Sequence, residues 1–162
     1  MKAYYFKDKI YSRTDIVTKV NELRLNGQKV VFTNGCFDII HRGHISYLSE
    51  AASLGDFLVV GVNSDASVKR LKGINRPLQD EDSRAEILAA LECVGGIVMF
   101  EEDTPLELIQ AIQPDVLVKG GDYSVETVVG AKEVLSRGGS VELLSFLPGY
   151  STTSIEDKIK GD

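Results

Sequence analysis

The sequence is poor in cysteine, poor in histidine, short of positive charge and without long apolar runs. Its two cysteines, Cys36 and Cys93, have neither metal-ligand spacing nor the regular pattern of a disulfide framework, so a reduced protein is expected. No apolar run approaches membrane-spanning length, and no membrane partner is expected. The N-terminal stretch MKAYYFKDKI lacks the apolar segment of a secretory leader, and the expected compartment is the cytoplasm. Lysine and arginine number 18 against 24 acidic residues, a net charge of −6. That balance argues against general binding to nucleic acid or anionic membranes, but leaves room for a local cationic pocket. Histidine occurs only twice, at His41 and His44, three positions apart.

The rest has ordinary globular composition, 43% hydrophobic and 26% charged. A length of 162 residues suits one domain: an N-terminal extension and helix over 1–28, then a core over 29–162. No linker, repeat or low-complexity segment interrupts it. Short apolar, mostly β-branched runs at Val30–Phe32, Phe57–Val62, Gly96–Phe100, Val116–Val118 and Val141–Phe146 read as buried strands. Helical patterns lie around them at Asp15–Leu25, His44–Leu54, Ser64–Leu71, Glu81–Leu91 and Val125–Ser136. Thr104-Pro105-Leu106-Glu107 predicts a capping box with proline at the first helical position, and Thr153-Ser154-Ile155-Glu156 predicts another. Strand and helix alternate, so the expected fold is α/β: a Rossmann-like, doubly wound parallel sheet of about five strands. Ligands bind such sheets beyond the carboxyl ends of the strands, which directs attention to the loops there.

The first such loop is Thr33-Asn34-Gly35-Cys36-Phe37-Asp38, followed by His41-Arg42-Gly43-His44 at a helix start. A helix N-terminus offers free N–H groups and partial positive charge, which suits phosphate. Gly35 and Gly43 permit close backbone approach. Two imidazoles there can donate hydrogen bonds to phosphate oxygens whose charge grows in a transition state. The plainer alternative is a pair of polar residues at a helix start. Zinc is poorly served by two histidines without an acidic or cysteine partner at suitable spacing. Cys36 lacks an activating partner nearby in sequence and is not read as a nucleophile.

The stretch Gly35-Cys36-Phe37-Asp38-Ile39-Ile40-His41-Arg42-Gly43-His44 resembles the G-x-F-D-x-x-H-x-G-H signature of the cytidylyltransferase-like nucleotidyltransferases. Further stretches, GVNSDASVKRLKG, RPLQDEDSRAEILAAL, FEEDTPLELI, PDVLVKGGDY and YSTTSI, are similar to the heptose 1-phosphate adenylyltransferase part of ADP-heptose synthase. With FTNGCFDIIHRGH, which holds the signature, they run from Phe32 to Ile155. The resemblance implies a nucleotidyltransferase-type Rossmann-like fold and transfer of a nucleotidyl group from an NTP to a phosphorylated small molecule, with release of pyrophosphate.

Three more strand-end segments gain meaning from it. Lys69-Arg70-Leu71-Lys72-Gly73-Ile74-Asn75-Arg76 holds four cations and no acid. Such clusters are usually solvated faces, yet a triphosphate and a sugar phosphate together need counter-charge. The resemblance implies phosphate contact by Lys72 and Arg84, with Lys69 and Arg76 as further candidates for the sugar phosphate. Lys119-Gly120-Gly121-Asp122-Tyr123 follows a strand and reads alone as a turn. By resemblance it lies beside the nucleotide, and Lys119, Gly120 and Asp122 become candidates. Ser151-Thr152-Thr153-Ser154 reads as a helix cap, which is also an anion site. By resemblance these four residues clamp the outer phosphates. Many cytidylyltransferases carry an arginine shortly before this run, whereas here Leu147-Pro148-Gly149-Tyr150 stands there. Asn63 and Asp65 sit at another strand end, where they cap a helix or face the sugar phosphate. Asp38 is expected to hold the loop.

The mechanism this implies is direct in-line attack of a sugar 1-phosphate oxygen on the α-phosphorus of ATP. The nucleophile is already ionised at neutral pH, so no general base is required, and catalysis is positioning plus charge stabilisation. His41, His44 and Lys72 are the expected catalytic residues. Mg2+ is expected on the ATP phosphates rather than in a protein cage. The implied partners are ATP, a phosphorylated sugar, a separate upstream sugar kinase and, as the family often forms one, a homodimer. Two alternatives stay open: a cytidylyltransferase for glycerol 3-phosphate or a similar acceptor, and a nucleotide-binding module without turnover.

Overall fold

A computed structural model describes residues 5–161. The first four residues of the expected N-terminal extension, and residue 162, lie outside them. Among the described residues six strands form one sheet: β1 (Ile10–Tyr11), β2 (Val30–Gly35), β3 (Phe57–Asn63), β4 (Gly96–Phe100), β5 (Val116–Gly120) and β6 (Ser140–Leu144). Their order is β1-β4-β3-β2-β5-β6, and every pairing is parallel. The sixth strand, beyond the five expected, is β1, whose Ile10 and Tyr11 pair with Ile97 and Val98. Two residues carry no readable alternation, so nothing in the sequence pattern announced it.

Among the described residues seven α-helices accompany the sheet: α1 (Arg13–Leu25), α2 (Arg42–Ala52), α3 (Asp65–Lys72), α4 (Glu81–Ala89), α5 (Leu106–Ile112), α6 (Ala131–Ser136) and α7 (Thr152–Lys160). Side-chain oxygens start several of them. Ser12, Ser64 and Asp80 accept from the backbone N–H of Asp15, Ser67 and Ser83, satisfying donors that a helix start leaves unpaired.

Alternate residues of β2 face opposite sides, as the two-residue period of a strand requires. Val31 packs with Leu48 of α2 and Leu88 of α4, whereas Val30 and Phe32 pack with Ile16 of α1 and Ile109 of α5. Helices therefore cover both faces. Phe32 and Leu88 are fully buried, and burial of such side chains stabilises the fold by about 1.5–3 kcal/mol each.

Three expected elements differ. The box at Thr104–Glu107 does not form: Pro105 takes the cap position and α5 begins one residue later, so Thr104 and Glu107 are out of register with the first turn. The helix expected over Val125–Ser136 is divided. A 3-10 turn at Val125–Thr127 is separated from α6 by Gly130 at φ +86°, where a Cβ would meet Ile109 at 2.6 Å. The last capping box is formed by Ser151 and Ser154, and Glu156 makes a different contact.

β2 and β5 are neighbours, while the chain continues from β2 to β3 on the other side. The strand order thus reverses between β2 and β5, and the crevice beyond their carboxyl ends is the ligand position of an open α/β sheet.

Candidate active site

A cavity of about 780 Å³ opens at that point. Asn34, Gly35 and Cys36 from the end of β2, Asn63 from β3, and Lys119 and Gly120 from β5 line it. Phe37, Asp38 and His44 add the motif loop, Lys72 the end of α3, Asp122 the loop after β5, and Thr152 the start of α7. Segments far apart in sequence thus meet where the fold predicts a ligand.

The motif loop is built around rings. Phe37 is in the left-handed region at φ 49°. Its ring covers Gly35, where a Cβ would lie 2.9 Å away, and meets His44 edge-on at 5.3 Å. His44 stacks on His41, with centroids 3.8 Å apart and planes 24° apart. Gly43 makes room, since a Cβ there would lie 2.9 Å from the His41 ring. Nδ1 of each histidine is buried and has no hydrogen-bond partner among the described residues. Burial, with His41 alongside, pushes His44 down to about 4, and burial also lowers His41. Both rings are neutral at pH 7 and offer N–H donation rather than fixed charge.

Asp38 anchors this loop. Its carboxylate accepts from the N–H groups of Leu78 and Gln79 and from Arg76 at 3.0 Å. Burial alone would raise its pKa, but these donors outweigh burial and hold it below the usual carboxylate value.

Cations divide into two sets. Lys72 and Lys119 face the cavity. Burial lowers Lys119, whose ammonium lies 5.4 Å from the Tyr123 ring centroid. Arg84, by contrast, is fully buried and lies outside the cavity lining. Its guanidinium donates to the carbonyls of Gln79 at 3.1 Å, Cys36 at 2.7 Å and Asn63 at 2.8 Å, and to Asp65 at 2.8 Å. It ties the ends of β2 and β3 together from behind. Arg76 is engaged by Asp38 and Glu156, Arg70 by Asp103, and Lys69 is exposed outside the lining.

The remaining sequence candidates divide similarly. Thr33 is buried, and its hydroxyl meets that of Tyr47 at 2.6 Å. Burial pushes the Tyr47 phenol up to about 12, so it stays protonated. Ser151 and Ser154 cap each other, Thr153 is exposed, and among Ser151–Ser154 only Thr152 lines the cavity. Cys36 is raised by burial, which suits a neutral thiol and not a nucleophile. No group of three His, Cys, Asp or Glu side chains among the described residues could hold a metal ion.

Tyr47, Tyr123, Val128 and Phe146 also line the cavity, and sequence reading missed them. Tyr47 had a signal, since it lies three residues beyond His44 on the same helix face. Phe146 leaves the sheet after β6 and closes on Gly120, where a Cβ would lie 2.6 Å from its ring. No local pattern marks that contact.

Comparison with known proteins agrees with the fold. The family model described as cytidylyltransferase-like matches residues 32–157. The chain is 61% identical to the bifunctional protein HldE of Citrifermentans bemidjiense over 82% of this chain and 27% of that one. It is 54% identical to the bifunctional protein HldE of Syntrophotalea carbinolica over 97% of this chain and 32% of that one. The chain thus spans about a third of the length of these curated relatives. Among solved structures, the lipopolysaccharide core biosynthesis protein of Thermoplasma volcanium superposes with a TM-score of 0.60 at 31% identity, over 75% of this chain and 98% of that one. Pantoate-beta-alanine ligase of Francisella tularensis shares the fold, with a TM-score of 0.60 at 17% identity over 93% of this chain and 76% of that one.

Proposed function

The chain belongs to the cytidylyltransferase-like nucleotidyltransferases, and from that premise we propose that it transfers AMP from ATP to heptose 1-phosphate, releasing pyrophosphate. The observation that carries this reading is the convergence of His44, Lys72, Lys119 and Thr152 on one cavity at the switch point of the sheet. The similarity to HldE proteins favours the sugar 1-phosphate acceptor and ATP over a polyol phosphate and CTP.

The acceptor phosphate is an anion at neutral pH and attacks the α-phosphorus in line; no side chain needs to take a proton from it. His44 donates a hydrogen bond to the α-phosphoryl oxygens as charge grows there, with His41 stacked behind it. Lys72 and Lys119 supply the positive charge that the triphosphate requires. Thr152 and the capped start of α7 hold the outer phosphates that leave as pyrophosphate. Asn34 to Phe37, Gly120 and Asp122 border the nucleotide, and Asn63 faces the acceptor side. Arg84, Asp65 and Arg76 hold these walls in place.

The donor set fits a divalent ion carried on phosphates better than a protein-bound ion, because the described residues offer no three-ligand cluster. Mg2+ so carried supplies charge neutralisation between phosphates. The reading places a separate sugar kinase upstream as the source of the acceptor phosphate, and the product suits lipopolysaccharide core biosynthesis. We assign the chain to the cytoplasm, where ATP is available. No described helix is long and apolar enough to cross a membrane.

The test is a matrix of nucleotides against phosphorylated acceptors, reading pyrophosphate release. ATP with heptose 1-phosphate is expected to give the highest kcat/KM. Preference for CTP with glycerol 3-phosphate would sink the assignment, as would tight ATP binding with no pyrophosphate from any acceptor.

A further inference from the structure

Helix α7 presents the outer-phosphate end of the cavity through Thr152, yet none of its residues is buried. Apolar packing therefore does little to fix its position, and its polar contacts matter more. One contact holds the segment just before it and one reaches the helix itself. Arg42, at the start of α2, donates to the Tyr150 hydroxyl at 3.1 Å and lies 5.5 Å from the centroid of that ring. One turn into α7, Glu156 pairs with Arg76, whose other guanidinium nitrogen binds Asp38 at 3.0 Å.

This second contact is a relay of three charges. The exposed fractions of the Asp38, Arg76 and Glu156 side chains are 3%, 22% and 17%. Solvent therefore screens it less than an ordinary surface pair. Asp38 is already fixed by the N–H groups of Leu78 and Gln79, so Arg76 is held at a defined place. Glu156 then docks α7 onto that fixed guanidinium. The chain Phe37-Asp38 to Arg76 to Glu156 thus connects the loop beside the histidines with the helix whose first turn borders the outer phosphates.

We propose that Glu156 is a positioning residue: by pairing with Arg76 it holds the first turn of α7 in the geometry that receives the outer phosphates of the nucleotide. Glu156 does not touch the substrate. It lowers the ordering cost of nucleotide binding by keeping the Ser151–Ser154 turn in place beforehand. The inference rests on the nucleotidyltransferase reading for its ligand, while the latch itself is a property of the fold.

The test uses the full chain with Glu156→Ala and Glu156→Gln. Hydrogen exchange over residues 152–160 is expected to quicken in Glu156→Ala. KM for the nucleotide is expected to rise about tenfold, with KM for the acceptor unchanged. Glu156→Gln, which keeps the shape and removes the charge, is expected to fall between wild type and Glu156→Ala. Faster exchange with an unaltered nucleotide KM would overturn the positioning role. So would an equal rise in both KM values, which would mean a general loss of structure. If the wild-type chain released no pyrophosphate from any substrate pair, the functional reading would fall by itself. Unchanged exchange in Glu156→Ala would separately remove the latch.

Discussion

The rings of His41 and His44 are stacked, with centroids 3.8 Å apart, and His44 is the one that lines the cavity. Two imidazolium ions at that spacing would repel, so the pair works as neutral rings, one donating and one supporting. His44→Ala is therefore expected to lower kcat about 100-fold to 1,000-fold, the usual cost of removing a donor to developing charge. His41→Ala should cost less, because it removes the support and not the donor. Pre-steady-state release of pyrophosphate measures both. A loss under about tenfold for His44→Ala would end its assigned role.

The same pair gives a pH dependence of stability. His44 is at about 4 in the folded chain, below its ordinary 6.5, because burial disfavours the charged ring. Between these values the unfolded chain binds the proton and the folded chain does not. The unfolded state is then favoured as acid is added. The contribution is fully present above about pH 6.5 and is lost as pH falls towards 4, and burial of His41 acts in the same direction. Melting curves between pH 7 and pH 4.5 should show a falling midpoint. His44→Asn should flatten that fall, and an identical slope in the variant would refute the cause.

Sheet and motif were legible because each rests on local pattern. Val30–Phe32 and Phe57–Val62 announce buried parallel strands by composition, and the motif loop announces itself by spacing. Arg84 was different. The resemblance put it on the phosphates, and only the fold shows its guanidinium directed at the carbonyls of Cys36 and Asn63. Direction is a tertiary property. Phe146 closing on Gly120 was invisible for the same reason, since the two residues are joined only by the neighbouring strands β5 and β6.

Gly43 separates the two roles of the helix start. Alanine favours helices by about 1 kcal/mol over glycine, so Gly43→Ala should leave the melting midpoint level or slightly higher. The added Cβ would lie 2.9 Å from the His41 ring and 3.2 Å from the Tyr150 Cβ, and the ring is the easier of the two to displace. The ring should shift and the stack with His44 should break. Activity is expected to fall at least tenfold in a stable protein, an order-of-magnitude figure for losing aligned geometry. Paired calorimetry and turnover assays decide it, and full activity in a folded Gly43→Ala would show that the stack is dispensable.

Arg84 and Lys72 provide the sharpest contrast, because sequence placed both on the phosphates. Arg84 is fully buried with four hydrogen bonds, and Lys72 is exposed on the cavity wall. Arg84→Ala would leave the Cys36 and Asn63 carbonyls and the Asp65 carboxylate without their donor. A loss of about 3–5 kcal/mol is expected, as for other broken buried pairs. Arg84→Lys should recover little, since one ammonium cannot span the positions a guanidinium fork reaches. Lys72→Ala should change stability by less than about 0.5 kcal/mol, as exposed substitutions usually do. Its effect belongs in the kinetics, as a raised nucleotide KM, a lowered kcat and a weaker dependence of nucleotide binding on salt. Urea unfolding and steady-state kinetics on the three variants test this together. A stable, slow Arg84→Ala would return Arg84 to the phosphates, and an unstable Lys72→Ala would remove Lys72 from them.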